Sequence, residues 1–229
     1  MIIAIDGPAG SGKSSTAREV ARRLGYLHVD SGAFYRALTY ALLEAGVAES
    51  EWHDLGPDDL DELRVRGERG DGGLRMRVGD QVVDRELRTA DVNAKVSHVA
   101  RIPGVREWLL GRLRALAEAG SVVVDGRDIG TAVFPDAELK VFLVADPEVR
   151  ARRRLREEGV EDPDRDTLLD AIATLQERDR QDRERDVAPL VAAGDAVRVD
   201  TTALAFDEQV AAILELASAR SPGGRPSGG

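Results

Sequence analysis

The stretch Met1-Ile-Ile-Ala-Ile-Asp6, followed by Gly7-Pro-Ala-Gly-Ser-Gly-Lys-Ser14, governs the fold of this chain. Its continuous apolar run is typical of a buried parallel strand. The spacing G-x-x-x-x-G-K-[ST] between a strand and a helix predicts a loop that binds the phosphates of a nucleoside triphosphate. Glycines let backbone amides approach a phosphate closely, and the helix N-terminus adds its positive dipole end. The alternative is a glycine-rich turn that binds nothing, which the complete motif disfavours.

Two side chains of this loop have distinct expected roles. Lys13 would reach the β- and γ-phosphates, and the Ser14 hydroxyl would be a ligand of Mg²⁺. The loop leaves open what happens to the γ-phosphate. The residues expected to contact the triphosphate are Gly7, Pro8, Ala9, Gly10, Ser11, Gly12, Lys13, Ser14 and Ser15.

Composition limits the classes of protein to which the chain can belong. Its 229 residues fit one α/β domain with an insertion, or two small domains. The absence of Cys excludes disulfides and Cys-ligated zinc, and it fits a reducing cytosol. No stretch of eighteen uncharged apolar residues occurs, so we expect no membrane-spanning helix. The sequence begins in a core strand, so we expect no signal peptide.

Charge gives a further indication. The formal net charge of −10 argues against a general affinity for nucleic-acid polymers. Lysine occurs only at positions 13, 95 and 140, so nearly all of the 32 basic residues are arginines. Arginine presents a planar fork of donors that binds phosphate bidentately. A codon bias toward arginine is the alternative for most of them, so only arginines within motifs are assigned a function.

Apolar runs and helical periodicities alternate along most of the chain. This alternation predicts a five-stranded parallel sheet flanked by helices, of the phosphate-loop NTPase type, with ligands at the carboxyl ends of the strands. Residues 46–62 resemble a loop with one helical turn, and residues 221–229 a disordered tail. Core strands are predicted at 2–6, 27–29, 121–125, 139–144 and 196–199, and helices at 13–24, 33–45, 89–100, 103–119, 148–157, 167–184 and 206–219. A small antiparallel insertion is predicted from strands at 63–66, 74–78 and 81–83, with a turn at 70–73.

Three further clusters carry chemistry. Residues 30–36, DSGAFYR, follow the second strand and could face one pocket, or could be a capped helix with Tyr35 in the core. In residues 125–128, DGRD, Asp125 ends a strand like a carboxylate that holds hydrated Mg²⁺; a salt-bridged turn is the alternative. Helical spacing places Arg178, Asp182 and Arg185 on one face, but an isolated charge run more often forms a solvated helix.

Together these motifs resemble bacterial cytidylate kinases over residues 2–218. The resemblance rests on the loop at 7–14 and on DSGAFYR (30–36), VREWLL (105–110), DGRDIGTAVFPDA (125–137) and ERDRQDRERDVAPL (177–190). It implies transfer of the ATP γ-phosphoryl group to CMP or dCMP with Mg²⁺ in the cytoplasm, by a monomer without membrane or nucleic-acid partners. A kinase that prefers another monophosphate such as UMP, and a nucleotide-triggered switch, are the alternatives.

The resemblance also assigns residues. Lys13, Arg127 and Arg178 would be catalytic, Arg153 would lie near the adenine, and Asp125 would hold Mg²⁺ through water. Residues implied to bind CMP are Ser31, Tyr35, Arg36, Ser97, Arg106, Arg127, Asp128, Arg178, Asp182 and Arg185. Residues 1–220 would form one kinase unit, with its core at 1–45 and 103–220, an acceptor-binding insertion at about 46–102 and a helical lid at about 150–166. The lid departs from the family in its acidic stretch at 157–163.

Overall fold

Strands and helices alternate through residues 1–70 and 73–220, which the computed structural model describes. The predicted tail, 221–229, and two residues of the predicted turn at 70–73 lie outside the described residues. The strands are β1 Ile2–Asp6, β2 Leu27–Asp30, β3 Val65–Gly70, β4 Gly73–Val78, β5 Gln81–Val83, β6 Val122–Gly126, β7 Leu139–Val144 and β8 Val197–Asp200. The α-helices are α1 Lys13–Leu24, α2 Ser31–Glu44, α3 Pro57–Glu62, α4 Ala90–Val99, α5 Pro103–Glu118, α6 Pro147–Glu157, α7 Arg165–Arg183 and α8 Phe206–Arg220.

A five-stranded sheet in the order β2-β6-β1-β7-β8 confirms the predicted fold class. Strand β1 pairs in parallel with β6 and with β7, so that Ile3 lies opposite both Val123 and Leu139. Strand β7 pairs in parallel with β8. Because β1 lies inside the sheet, its carboxyl end delivers the phosphate loop to the middle of the sheet edge.

Contacts divide the chain into two units. One consists of Met1–Tyr26 with the chain from Ser121 onward, and the other of Leu27–Gly120. In the first unit, buried residues of α1 and α8, such as Val20 and Ile213, pack against β1, β6 and β7. The boundaries expected for the acceptor-binding insertion, at about 46 and 102, stay a prediction.

The ends of α1 fall where its glycines predict them. Gly12 precedes the helix with a φ of 84°, and Gly25 ends it with a φ of 69°. Both values lie in the left-handed region that favours glycine. The amide of Gly25 donates to the helix carbonyls of Ala21 and Arg22, as in a common helix C-cap.

The second unit contains the antiparallel sheet β3-β4-β5, as predicted. The strand predicted at 63–66 is wrong in its bounds, because β3 begins at Val65 and runs to Gly70. Arg64 has a φ of 51°, which interrupts the extended conformation directly before the strand. The loop with one helical turn predicted at 46–62 is wrong in its helix content, because the segment holds a 3-10 helix at Glu49–Asp54 and helix α3.

Side-chain caps explain why two helices begin earlier than predicted. The Asp30 carboxylate accepts a hydrogen bond from the Ala33 amide, so α2 begins at Ser31. The Asp164 carboxylate accepts one from the Thr167 amide at 2.8 Å, so α7 begins at Arg165. Within 1–70 and 73–220, no helix combines the length and apolar character needed to cross a membrane.

Candidate active site

The phosphate loop connects β1 to α1 and places a lysine at the start of the helix. Lys13 is buried, and its Nζ donates to the carbonyl oxygen of Pro8 at 3.3 Å, so the ammonium group lies within the loop. Gly10 has a φ of 71°, and a Cβ there would lie 2.9 Å from the carbonyl oxygen of Arg150. Both features require glycine at this position.

Ser14 and Asp125 meet in the first unit. The Ser14 hydroxyl donates to Asp125 Oδ2 at 2.5 Å, and Asp125 is only 1% exposed at the end of β6. These hard oxygen donors suit Mg²⁺, which proteins commonly hold by one or two carboxylates together with substrate phosphates and water. No group of three or more His, Asp or Glu side chains among the described residues could hold a metal without such help. The donor set therefore fits a magnesium ion that arrives with a nucleotide.

Asp6 links the phosphate loop to the DGRD turn. It directly precedes Gly7, and its two carboxylate oxygens accept hydrogen bonds from the amides of Ile129 and Gly130, both at 2.8 Å. Burial raises the pKa of Asp6 to about 6, against the opposing effect of the two amides. The turn that carries Asp128 is therefore attached to the residue before the loop. Sequence reasoning did not assign Asp6, because as part of the strand it gave no separate signal.

The raised pKa of Asp6 predicts a pH-dependent stability. The folded state binds this proton more tightly than the unfolded state. The contribution of Asp6 to the free energy of unfolding therefore falls as the pH rises from about 4 to 6, and it is constant above pH 6. Relative to the Asp6→Asn variant, the wild type should lose about 2 kcal/mol of unfolding free energy as the pH rises from 4 to 7. Urea unfolding of both proteins across this range measures the difference. A difference that is independent of pH would contradict the raised pKa.

A cluster of one carboxylate and two guanidinium groups lies beside this turn. Arg127 Nε donates to Asp182 Oδ2 at 2.8 Å, and Arg185 forms an ion pair with Asp182 Oδ1. Asp182 and Arg185 are both buried at their side chains. The solvated helix considered for this charge run is therefore wrong for this face of α7, whereas Arg180 pairs in solvent with Glu177 and Glu184.

Electrostatics keep Asp182 ionised. Burial alone would raise its pKa, but the charges of Arg127 and Arg185, with a smaller effect of Arg178, lower it below the usual value. The salt-bridged turn considered for residues 125–128 differs from the observed pairing, because Arg127 pairs with Asp182 on α7. Asp128 is buried beside Arg127. The cluster thus offers guanidinium donors and a fixed anionic acceptor at one place.

Helix α6 contributes two arginines at the phosphate loop. Arg153 donates to the hydroxyl and the carbonyl oxygen of Thr201, at 3.0 and 2.7 Å. Arg150 donates to the carbonyl oxygen of Ala9 at 3.0 Å and to Asp179 Oδ2 at 2.5 Å. Sequence reasoning singled out Arg153 but missed Arg150, Asp179 and Thr201. Their partners lie far away along the chain, so no local spacing could have indicated them.

In the second unit, two of the predicted CMP-binding arginines, Arg36 and Arg106, each have a described contact. Arg36 Nη1 donates to Asn93 Oδ1 at 2.6 Å and to the Leu87 carbonyl oxygen at 3.2 Å. The Arg106 guanidinium lies 6.0 Å from the centroid of the Tyr35 ring, within reach of a cation–π interaction. Tyr35 is half-buried and is not a core residue.

The remaining predicted residues of this unit lie on two helices. Ser31 is buried in the first turn of α2, and Ser97 is half-buried on α4. Asn93, also on α4, is a residue that sequence reasoning missed. Besides holding Arg36, its amide nitrogen donates to the Arg88 carbonyl oxygen at 2.9 Å. Asn93 is therefore fixed at both ends of its side-chain amide.

On the sequence-based prediction that Arg36 binds CMP, Asn93→Ala should weaken binding of this monophosphate. Without the Asn93 oxygen, Arg36 loses a hydrogen bond of 2.6 Å that orients its guanidinium, and hydrogen bonds to charged groups contribute about 1.5–3 kcal/mol. We expect the KM for CMP to rise about tenfold and the KM for ATP to stay within twofold. Steady-state kinetics with each substrate varied would test this. Asp91→Ala, at an exposed position of α4, is the control, and an unchanged KM for CMP in Asn93→Ala would refute the orienting role.

Comparison with known proteins identifies the family. A family model described as cytidylate kinase matches residues 3–219. A cytidylate kinase from Exiguobacterium sibiricum is 47% identical over 217 residues, which cover 94% of this chain and 96% of that protein. Another, from Chloroherpeton thalassium, is 44% identical over 221 residues, covering 95% and 93%. A third, from Streptococcus thermophilus, is 43% identical over 222 residues, covering 94% and 95%. As the sequence motifs predicted, this chain belongs to the cytidylate kinase family.

Proposed function

We propose that this chain transfers the γ-phosphoryl group of ATP to CMP or dCMP, giving ADP and CDP or dCDP, through the residues described above. The observation that carries the proposal is that a second cluster of guanidinium groups is attached to the phosphate loop. The cluster of Arg127, Asp182 and Arg185 is tied to the loop through the bonds of Asp6 to Ile129 and Gly130. A triphosphate site alone would not need this cluster, whereas a phosphoryl acceptor would.

On the donor side, the loop amides and Lys13 would hold the ATP phosphates. Ser14 would be a direct ligand of Mg²⁺, and Asp125 would hold the ion through water. The short contact between their oxygens supports this assignment. When bound, Mg²⁺ would neutralise charge on the β- and γ-phosphates. Arg153, which donates a hydrogen bond to Thr201 directly after β8, would lie near the adenine.

On the acceptor side, guanidinium groups would surround the CMP phosphate and carboxylates would select the nucleoside. Arg36, Arg127 and Arg178 would bind the α-phosphate, and Asp182 would accept hydrogen bonds from the sugar hydroxyls. Asp128 and Ser97 would contact the cytosine. The further residues proposed to bind CMP are Ser31, Tyr35, Arg106 and Arg185.

Catalysis by this set would consist of positioning and charge stabilisation. Two nucleotides repel each other, and the transferring phosphoryl group spreads negative charge over its oxygens. Lys13, Arg127 and Arg178 would stabilise that charge and align donor and acceptor in line. The CMP phosphate is already an anionic nucleophile at neutral pH, so the chain needs no general base.

A panel of acceptors tests the proposal. ADP release would be measured with ATP and Mg²⁺ in the presence of CMP, dCMP, UMP or AMP, and without acceptor. We expect rapid turnover with CMP and dCMP and little with the others. A preference for UMP or AMP would favour a kinase of different specificity. Slow hydrolysis that does not depend on any acceptor would favour a nucleotide-triggered switch.

The cellular setting proposed for this enzyme follows from its substrates. We propose that it acts as a cytoplasmic monomer on free nucleotides, without a nucleic-acid or membrane partner. The insertion at 46–102 would serve the acceptor and the segment 150–166 would act as a lid. Size-exclusion chromatography with light scattering would measure the oligomeric state, and a dimer would overturn that part of the proposal.

A further inference from the structure

Arg150 and Asp179 form a buried ion pair for which the proposed reaction has no assigned role. Arg150 Nη1 lies 2.5 Å from Asp179 Oδ2, and the two residues are 4% and 2% exposed. A buried ion pair contributes little net stability, since removal of both charges from water offsets their attraction. The pair therefore calls for an explanation other than stability.

The pair binds both backbone groups of one residue of the phosphate loop, Ala9. Arg150 Nη1 donates to the carbonyl oxygen of Ala9 at 3.0 Å, and Asp179 Oδ1 accepts from the amide of Ala9 at 3.3 Å. Both backbone groups of Ala9 are thus bound by side chains of α6 and α7. The methyl group of Ala9 packs in a small apolar cluster with Ala151, Leu155, Leu168 and Leu175 of the same helices.

Helix α7 also carries Asp182, the carboxylate of the cluster with Arg127 and Arg185 that is proposed to bind the acceptor. Asp179 is adjacent to Arg178 and lies three residues before Asp182, so that Asp179 and Asp182 are neighbours on the helix surface. A rigid helix therefore connects the group that binds Ala9 to the group that pairs with Arg127. The contact of Gly10 with the Arg150 backbone, where a Cβ would come within 2.9 Å, brings α6 equally close to the loop.

We propose that Arg150 and Asp179 are positioning residues that hold the phosphate loop in register with the acceptor cluster, through Asp182 on α7. This inference rests on the proposed function, because it assigns ATP to the loop and CMP to the cluster. In-line transfer tolerates little misplacement, and a displacement of about 1 Å can cost about 10²-fold in rate. The pair lies at the base of the α6–α7 hairpin, in the first turn of α6 and near the end of α7. The pair therefore connects α6 to α7 at this end, independently of the conformation of the segment between the two helices.

A double variant separates positioning from folding. Arg150→Met with Asp179→Leu removes both charges, so it leaves no buried charge unpaired and should fold. It cannot bind the backbone of Ala9. We expect kcat to fall at least tenfold and the affinity for the ATP analogue AMP-PNP to fall at least fivefold, with the Kd for CMP within threefold of wild type. Circular dichroism would verify folding, and calorimetry would measure the two affinities.

Arg152→Met is the matched control on α6. Arg152 is exposed and pairs with Glu148 at 3.0 Å, so its loss should leave kcat unchanged. Should the double variant fail to fold, Arg150→Lys serves instead, since lysine keeps the charge but lacks the fork that bonds Asp179 and Ala9 together. A threefold or greater loss of kcat in this variant supports the proposal, and an unchanged kcat overturns it.

The remaining outcomes are equally decisive. A folded double variant with kcat within twofold of wild type overturns the positioning role. Equal losses of AMP-PNP and CMP affinity overturn it as well, since they would indicate a general distortion. If the wild type shows no CMP-dependent turnover, the proposed function fails, whereas AMP-PNP binding by the variants still tests whether the pair positions the phosphate loop.

Discussion

Lys13→Met should lower kcat by at least ~10²-fold and leave the fold intact. Its ammonium group lies inside the loop, where Nζ donates to the Pro8 carbonyl oxygen at 3.3 Å. In this buried place a positive charge stabilises the phosphoryl group in transfer more strongly than it would in water. Methionine keeps the length and apolar stem of the side chain but removes the charge. Single-turnover kinetics with saturating ATP and CMP would measure the chemical step.

The chain offers a matched control for this substitution. Lys95 is bound to Glu49 and lies 6.0 Å from the Trp52 ring, so that Lys95→Met makes the same chemical change in the second unit. We expect this control to keep kcat within twofold. If Lys13→Met kept more than a third of the wild-type kcat, Lys13 would have no catalytic role. A loss confined to the KM for ATP would instead assign Lys13 to ground-state binding.

Local chemistry explains why the segment from β1 to α1 could be predicted to the residue. Each boundary there carries its own signal, because the apolar run ends at Asp6 and left-handed glycines at Gly12 and Gly25 delimit the helix. The same holds for Ser14 and Asp125. Ser14 lies in the first turn of α1, after the loop that follows β1, and Asp125 lies near the end of β6. Parallel strands bring their carboxyl ends to one sheet edge.

The contacts that organise the loop could not be predicted from spacing. Ala9 is 141 residues from Arg150 and 170 residues from Asp179. Arg150 belongs to a dense run of arginines on α6, and nothing in the run distinguishes it from its exposed neighbour Arg152. Packing decides, because the turn of the helix directs Arg150 toward the loop and Arg152 toward solvent.

On α7, too, a run of charged residues gives no indication of which side chains are buried. Residues 177–185 alternate acidic and basic side chains, a pattern that favours a solvated helix. Asp179 and Asp182 are nevertheless buried, whereas Arg180 between them is exposed. The three-residue spacing of the two carboxylates was visible, but their arginine partners are Arg127 directly after β6, Arg150 on α6, and Arg185 beyond the end of α7. The short helices within 46–62 could not be predicted for another reason. Each buries a single large apolar residue, Trp52 or Leu60, and one such residue gives no periodic signal.

Asp182→Asn should weaken CMP binding by about 10- to 100-fold and change ATP binding less than threefold. The substitution keeps the shape of the side chain but removes the charge that pairs with Arg127 at 2.8 Å and with Arg185. Loss of one partner of a buried charge pair typically costs 2–5 kcal/mol, since the other charge is left buried. Isothermal titration with CMP and with AMP-PNP would measure both affinities.

Comparison of CMP with dCMP separates two ways in which Asp182 could act. If its carboxylate accepts a hydrogen bond from the ribose 2′-hydroxyl, Asp182→Asn should lose more affinity for CMP than for dCMP. The ratio of the Kd for dCMP to the Kd for CMP should then fall toward one. If it only orients Arg127, both nucleotides should lose affinity equally. Glu184→Gln, at an exposed position of the same helix end that pairs with Arg180, controls for a change of charge alone. Equal losses for CMP and AMP-PNP would remove Asp182 from the acceptor site, because a residue that binds only the acceptor cannot weaken the donor to the same extent.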